Sequence, residues 1–433
     1  MRCLGAAGGL TNPSVPGYGY SHASGRAEAV KGWQTWLQWL PFFDSSVERW
    51  PMEARLLRWL TLLWVSIGLP VLFSASYAIA EGERSDSWYF FRQQLLWVLV
   101  GLCVFHAVVH IPLKAMLQLG AFGLFGGLAL LYATYFIGET RNEATRWIGV
   151  GSVLIQPSEL IKPFLILQAA QLFGRWRKLS LFTRWAWLAV FGAVLLGILR
   201  QPSLSVTALC GMTLWAIALA AGLPLAQLGG AAGLGAGMAV LSVVFNEYQR
   251  RRVLSFLNPW LDAQGDGYQL VQSQMAIASG QVWGIGYGLS QQKTFLPFQY
   301  TDFIFAVFAE EFGLIGCFCL ILLLLAYGTL GLRVALEGKD TVVRLVAIGA
   351  ICLLVGQAFL NIGVATGLLP TTGLTFPFFS YGGSSMLASL TVAGLLVRAA
   401  REMATATVIP LYEQPVETLA ARRQRLAARR GRG

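Results

Sequence analysis

Charge is scarce in this chain, and its scarcity excludes most soluble folds. Only 12% of the 433 residues are charged, whereas soluble domains carry about 25%. Hydrophobic residues make up 56%, and 15 Trp and 26 Phe suit the interfaces and lipid-facing surfaces of a membrane protein. The composition predicts a polytopic membrane protein without a soluble domain that could bind nucleic acid.

Residues that commonly perform hydrolytic or metal chemistry are also few. The chain has three histidines, and their spacing supports neither metal-hydrolase nor Ser-His-Asp chemistry. Five of the six cysteines lie inside apolar runs, where cysteine usually acts as a small hydrophobe. The chemistry must therefore be sought among carboxylates, cations and backbone amides.

Long apolar runs predict an all-α fold of ten transmembrane helices, with a large exterior loop at about 246–302 between helices 7 and 8. The predicted spans are about 57–80, 93–112, 115–137, 157–173, 184–200, 204–222, 224–245, 303–332, 341–366 and 382–400. The predicted domains are a cytoplasmic N-terminal tail with an interfacial segment (1–56), the ten-helix domain (57–400) and a basic cytoplasmic tail (401–433).

Basic residues indicate the orientation of these spans. The C-terminal tail is rich in arginine, and the loop Arg175–Arg184 carries four positive charges, which predicts cytoplasmic termini and contact with anionic lipids. Helices 4, 8 and 10 would then have their N-termini outside, on the same side as the long loop. Because polar motifs precede each of these helices, we predict a site on the outer face.

One such motif is TDFIFAVFAEEFGLIG, residues 301–316, which places Asp302 at the mouth of an apolar helix and Glu310 and Glu311 deeper inside it. Acid in an apolar segment is costly and predicts a functional site. Asp302 is the candidate general base, and the alternative is a helix N-cap. A helix N-terminus lowers the pKa of a carboxyl while desolvation raises it, so the sequence leaves the sum open.

A second motif, QPSELIKP at 156–163, spaces Glu159 and Lys162 so that they can pair on one helix face. Lys162 is a candidate anchor for an anionic ligand, to which Arg146 in the preceding loop adds a cation. A purely structural ion pair is the alternative. The long loop begins with three arginines, Arg250–Arg252, which predict either a phosphate-bearing partner or lipid headgroup contact.

The loop before the last span, GLLPTTGLTFPFFSYGGSS, ends in glycines at a helix N-terminus, where free amides bind phosphate well. These motifs occur in order with RRRVLSFLNPWLDAQGDGYQLVQSQMAIASG and GYGLSQQK. Together they resemble the SEDS family (shape, elongation, division and sporulation) over residues 57–400, and its division members more than its elongation members.

The resemblance implies a peptidoglycan glycosyltransferase that polymerises lipid II on the outer face of the bacterial inner membrane, at the division septum. Its implied partners are a class B penicillin-binding transpeptidase and other divisome proteins. A lipid II flippase, a side-wall polymerase and a scaffold remain alternatives. No cofactor is certain, and a divalent cation (Mg or Mn) is a candidate.

The resemblance also implies the site. The catalytic residue is Asp302. The resemblance likewise assigns Lys162, Glu159, Arg146 and Lys293 to the site. Together with Arg250, Ser380, Gly382 and Gly383, which follow from the motifs themselves, these are the predicted substrate- or diphosphate-binding residues. One departure stands out: the family's Pro-Asp-Leu-Gly-Thr run before the sixth span reads Pro-Ser-Leu-Ser-Val here, from Pro202, so its acid is absent.

Overall fold

Helices make up most of the computed structural model, which describes residues 44–405 except 142–143, 151–152 and 202. The helices are α1 (Met52–Arg84), α2 (Tyr89–His110), α3 (Leu113–Ile137), α4 (Pro157–Leu160), α5 (Lys162–Gly174), α6 (Leu181–Arg200), α7 (Leu204–Ala220), α8 (Leu225–Phe245), α9 (Glu247–Leu257), α10 (Tyr268–Ser279), α11 (Ile304–Glu337), α12 (Thr341–Ile351), α13 (Gln357–Ala365) and α14 (Gly383–Thr405). A π-helical turn, Cys352–Gly356, joins α12 to α13. Short 3-10 helices are Ser45–Arg49, Trp176–Lys178, Pro259–Asp262 and Gln292–Thr294.

Eight helical segments within the described residues are long and apolar enough to cross a membrane. They coincide with eight of the predicted spans, and α12 and α13 together form one of them, Thr341–Ala365. The fourth and sixth predicted spans correspond to shorter helices, α4–α5 and α7. The all-α membrane fold is confirmed, and the count of ten spans stays a prediction.

A small antiparallel sheet separates α3 from α4, where we predicted only a loop. Strand β2 (Ala144–Val150) pairs with β1 (Glu139–Arg141) on one side and with β3 (Val153–Ile155) on the other. The sheet carries Arg146 and leads directly to the first turn of α4. It therefore fixes a side chain that the sequence analysis had placed on an irregular segment.

Among the eight long apolar segments, burial is greatest in the last. In α14, 78% of the most apolar window is buried, against 6% in α8. Helix α14 packs against α1, α2 and α12, whereas α8 contacts chiefly its neighbours α7 and α9. The loop that leads into α14 consequently lies at the centre of one end of the bundle.

Helix α11 is broken at Gly313, and a loop fills the break. The amides of Leu314 and Ile315 donate to Gln281 O and Val282 O, at 2.9 and 3.2 Å. The carbonyls of Glu310 and Glu311 accept instead from the amides of Ile285 and Gly286, at 3.0 and 3.1 Å.

Glycine makes this exchange feasible. Gly313 has φ +63°, and a Cβ there would lie 2.3 Å from Gly284 N. Gly284 itself has φ +78°, and its Cβ would lie 2.2 Å from Glu311 O. No other residue tolerates such close backbone contact without strain. The glycine-rich stretch after α10 thus fastens the long loop to α11.

The predicted tails lie mostly outside the described residues, so the domain boundaries stay predictions. Helix α1 begins at Met52 and α14 ends at Thr405, each about one turn beyond the predicted ten-helix domain.

Candidate active site

The segments before α4, α11 and α14 meet at one end of the bundle. Ser380 Oγ donates to Thr301 O at 2.6 Å, and Tyr381 N donates to Tyr300 O at 2.8 Å. The amide of Gln156 donates to Ser384 Oγ at 3.0 Å. The polar motifs of the fourth, eighth and tenth predicted spans are therefore in contact.

Asp302 lies in the turn before α11 and is partly exposed. The residue at the N-cap position is Phe303, and no side chain caps this helix. Among the residues that the structure describes, none forms a hydrogen bond or an ion pair with the Asp302 carboxylate. Its backbone carbonyl accepts from Asn361 Nδ2 at 2.8 Å. The side chain keeps its full capacity to accept a proton.

Arg146 and Asp302 both face Gly373. A Cβ on Gly373 would lie 3.3 Å from Arg146 Nη1 and 3.8 Å from Asp302 Oδ2. Arg146 Nε donates to Gln201 O at 2.8 Å, which holds the guanidinium at this position. The structure thus brings together two of the predicted site residues, the carboxylate and one cation.

A second cation comes from α9, and it is Arg252. Its Nη1 donates to Thr371 O at 3.2 Å, and its guanidinium lies 4.5 Å from the centroid of the Tyr248 ring. Arg250, which we predicted to bind phosphate, is exposed. Since residues two apart on a helix point in different directions, only one of these two can face Thr371.

Burial raises the pKa of Asp302 to about 6, although Arg252 and Arg146 lower it. Burial likewise lowers the pKa of Arg146. Desolvation therefore outweighs the effect of the two arginines on the pKa of Asp302. A carboxyl with this pKa is mostly ionised at neutral pH and is a stronger base than an ordinary aspartate.

Glu159 and Lys162 form a closed pair rather than an open anion site. Lys162 Nζ lies 2.6 Å from Glu159 Oε1 and donates to Gln357 Oε1 at 3.1 Å. Both charged side chains are buried, and the adjoining cavity measures about 10 Å³, enough for about one water molecule. A diphosphate does not fit there in this conformation, so their predicted contact with substrate stays a prediction.

Lys293 belongs to a third polar group. Its Nζ lies 3.7 Å from Glu311 Oε1 and donates to Gly288 O at 2.7 Å. Ser74 donates to Glu311, and the neighbouring Glu310 accepts from the amide of Gln291 at 3.1 Å. Lys293 also borders a cavity of about 300 Å³ with largely aromatic walls. Its charge is offset by Glu311, and it contacts Ser74 and Tyr77 of α1 as well as the loop that fastens to α11.

In the predicted phosphate-binding loop before α14, Ser380 and the amide of Gly382 already form hydrogen bonds with other parts of the protein. Ser380 Oγ accepts from Phe376 N at 2.7 Å in addition to its bond to Thr301 O. The amide of Gly382 donates to Gln94 Oε1 at 3.1 Å, and a Cβ on Gly383 would lie 2.3 Å from the Trp97 ring. These residues join α14 to α2 and α11.

A divalent cation would find few ligands at Asp302. Mg²⁺ is usually held by one or two carboxylates together with substrate phosphates, and Asp302 supplies one. Two arginines lie near it and already provide positive charge. The donor set is thus compatible with a metal that arrives with a diphosphate, and the cation stays a prediction.

The sequence analysis named Arg252 only as part of the run Arg250–Arg252. It did not single out five other residues of this site, namely Thr371, Thr372, Gly373, Gln357 and Asn361. The threonines and Gly373 stand in the TTG of the quoted loop, so that motif was a usable signal. Thr372 Oγ1 is buried and has no hydrogen-bond partner in the described parts of the chain.

Comparison with known proteins identifies the family. The family of FtsW, RodA and SpoVE, described as cell cycle proteins, matches residues 54–405. The chain belongs to this family. Its relatives include a probable peptidoglycan glycosyltransferase FtsW of Synechocystis sp., 53% identical over 86% of this chain and 95% of that protein. A putative FtsW of Mesostigma viride is 46% identical over 86% of this chain and 90% of that protein.

A solved structure of the same fold supports the assignment to this family. It is reported as "Structural coordination of polymerization and crosslinking by a peptidoglycan synthase complex". The TM-score is 0.65 at 27% identity, over 80% of this chain and 97% of that chain. The helical architecture is thus shared with a chain of that complex.

Proposed function

We propose that this chain is a peptidoglycan glycosyltransferase that polymerises lipid II into glycan strands for septal wall synthesis. The observation that carries the proposal is the Asp302 carboxylate, which forms no hydrogen bond or ion pair with the described residues and lies near two arginines that lower its pKa. Identity to relatives named FtsW supports the reaction class and favours division over side-wall elongation.

In the proposed reaction, Asp302 accepts the proton of the 4-hydroxyl of the acceptor sugar. The oxygen attacks the anomeric carbon of the donor with inversion, and the bond from that carbon to the lipid diphosphate breaks. The diphosphate leaves with the electron pair. It is already a good anion, so it needs charge stabilisation rather than a proton. Arg146 and Arg252 supply that charge, and Arg252 replaces Arg250 in this role.

The site faces the outer surface of the bacterial plasma membrane in this proposal, with both termini in the cytoplasm. The basic tail and short basic loops support that orientation. A class B penicillin-binding transpeptidase is the proposed partner, and other divisome proteins would position the pair at the septum. The solved relative in a peptidoglycan synthase complex supports a partner of this kind.

The discriminating experiment uses full-length protein in proteoliposomes with labelled lipid II, with and without a cognate transpeptidase and Mg²⁺ or Mn²⁺. Glycan strands are the expected product, and Asp302→Asn abolishes them. Translocation of labelled lipid without strands would instead establish a flippase. A chelator separates the two versions of the mechanism: strands that persist without metal leave the charge stabilisation to the arginines.

A further inference from the structure

Two buried amide side chains on α13 hold the walls of the site at a fixed spacing. Gln357 and Asn361 are 3% and 1% exposed. They are four residues apart and therefore lie on one face of the helix. The proposed reaction assigns no role to either of them.

Asn361 joins the two segments that face each other across the site. Its Nδ2 donates to Asp302 O at 2.8 Å and to Leu374 O at 2.7 Å. An amide nitrogen has two donors, so both are used. Reversing the amide would turn its oxygen towards two carbonyl oxygens, which repel it. The orientation of this side chain is therefore fixed by its partners.

Gln357 attaches the same loop to the bundle interior. Its Nε2 donates to Thr375 O at 2.8 Å, while its Oε1 accepts from Lys162 Nζ at 3.1 Å. Lys162 is held in turn by Glu159. Thr375 Oγ1 lies 2.7 Å from Ser385 Oγ on α14. A continuous set of hydrogen bonds thus runs from the buried ion pair to the loop.

The loop so held is the one that carries Gly373, against which Asp302 and Arg146 lie. Thr371 of this loop also accepts from Arg252. Any shift of the loop relative to Asp302 would change the spacing between the base and both cations. Catalysis is sensitive to such shifts, since a displacement of about 1 Å can lower the rate about a hundredfold.

We propose that Asn361 is a positioning residue for the glycosyl transfer, and that Gln357 performs the same task with Glu159 and Lys162 as its anchor. The inference rests on the proposed function. It assigns the buried ion pair to support of the loop and not to contact with the diphosphate.

The first test is Asn361→Leu, which keeps the volume of the side chain and removes both donors. Gln168→Leu is the matched control, because Gln168 is a buried amide whose partners, Leu117 O and Gln171, lie away from the site. The rate of strand formation is measured per mole of monodisperse protein, together with the thermal stability of each variant. We expect kcat to fall about tenfold or more for Asn361→Leu, with the KM for lipid II within about threefold.

A structural role alone predicts a different result. Both variants would then lose stability to a similar extent, and their kcat per folded molecule would stay equal to that of the unchanged protein. That result overturns the proposal. Wild-type protein that forms no strands would instead refute the proposed function, so the two failures are distinguishable.

Gln357→Glu is the second test, and it stays informative if Asn361→Leu does not fold. Glutamate keeps the shape and, when ionised by its contact with Lys162, cannot donate to Thr375. We expect a folded protein whose kcat is lowered about tenfold. An unchanged kcat would show that the link to Thr375 does not position the site.

Discussion

The carboxylate just before α11, Asp302, differs from the two within the helix, Glu310 and Glu311, in its exposure and in its hydrogen bonds. Asp302 has no partner for its carboxylate among the described residues and is partly exposed. Glu310 and Glu311 are 1% exposed. The first accepts from Ser290 and from two loop amides, and the second from Ser74 beside Lys293.

The difference separates a reacting group from a supporting one. Glu310 accepts hydrogen bonds through both of its oxygens, and removing such a carboxylate leaves its donors unsatisfied. A carboxylate without protein partners costs little to replace and can bond a substrate directly. The long loop therefore uses two kinds of carboxylate: Asp302, whose carboxylate forms no hydrogen bond with the described residues, for the chemistry, and Glu310 and Glu311, which accept hydrogen bonds, for its attachment to α11.

The largest effect is expected for Asp302→Asn. Strand formation should fall at least about a hundredfold, because the amide cannot accept the acceptor's proton, while thermal stability stays unchanged. Asp266→Asn is the matched control, since Asp266 is an exposed aspartate of the same long loop. Equal activity of the two variants would remove Asp302 from the chemistry.

Glu310→Gln should show the opposite pattern. It places an amide group where three donors converge, so we expect a loss of about 1–3 kcal/mol in the free energy of unfolding. Strand formation per folded molecule should stay within about threefold. Glu337→Gln, at the exposed end of the same helix, is the control for stability. A folded but inactive Glu310→Gln protein would break the distinction between Asp302 and the two glutamates.

Arg252→Gln tests the role of the cations beside Asp302. We expect kcat/KM for lipid II to fall about ten- to a hundredfold, the range for losing a hydrogen-bonded charge. Arg250→Gln, two residues away and exposed, should stay within about twofold. If the two variants are equally impaired, the arginines act through the general charge of the loop.

Gly373→Ala should have the smallest effect. The new methyl group would lie 3.3 Å from Arg146 Nη1, so the guanidinium must move by a few tenths of an ångström. We expect a two- to fivefold loss of about the same size in kcat and kcat/KM. Gly211→Ala on α7, with open space around it, is the control. If Gly373→Ala and Gly211→Ala have equal activity, the space at Gly373 does not affect catalysis.

Sequence reasoning reached the membrane class, most of the helices and the acid at the mouth of α11. These depend on composition, apolar run length and the cost of a charge in an apolar segment, which are local. The choice of Arg252 over Arg250 depends on the rotational setting of α9 against the loop. No composition or spacing rule supplies that setting.

Features that depend on contacts between distant parts of the chain could not be predicted from the sequence. The break at Gly313 requires a loop some thirty residues earlier, with Gly284 opposite it. The sheet that carries Arg146 has strands as short as three residues. Asn361 and Gln357 stand in an apolar helix with no pattern around them. Only their hydrogen bonds to distant carbonyls reveal what they hold.

The pH dependence of strand formation tests the central claim most directly, because it reports the ionisation of the proposed base. A carboxyl accepts a proton only when ionised, and burial raises the pKa of Asp302 to about 6. We expect the rate to rise with pH up to about 6 and then to level off. Arg252 lowers the pKa of Asp302, so Arg252→Gln should move this limb to higher pH, and Arg250→Gln should not. A rate that is flat between about pH 5 and 8, or a limb that Arg252→Gln leaves in place, would contradict the assignment of Asp302 as the base.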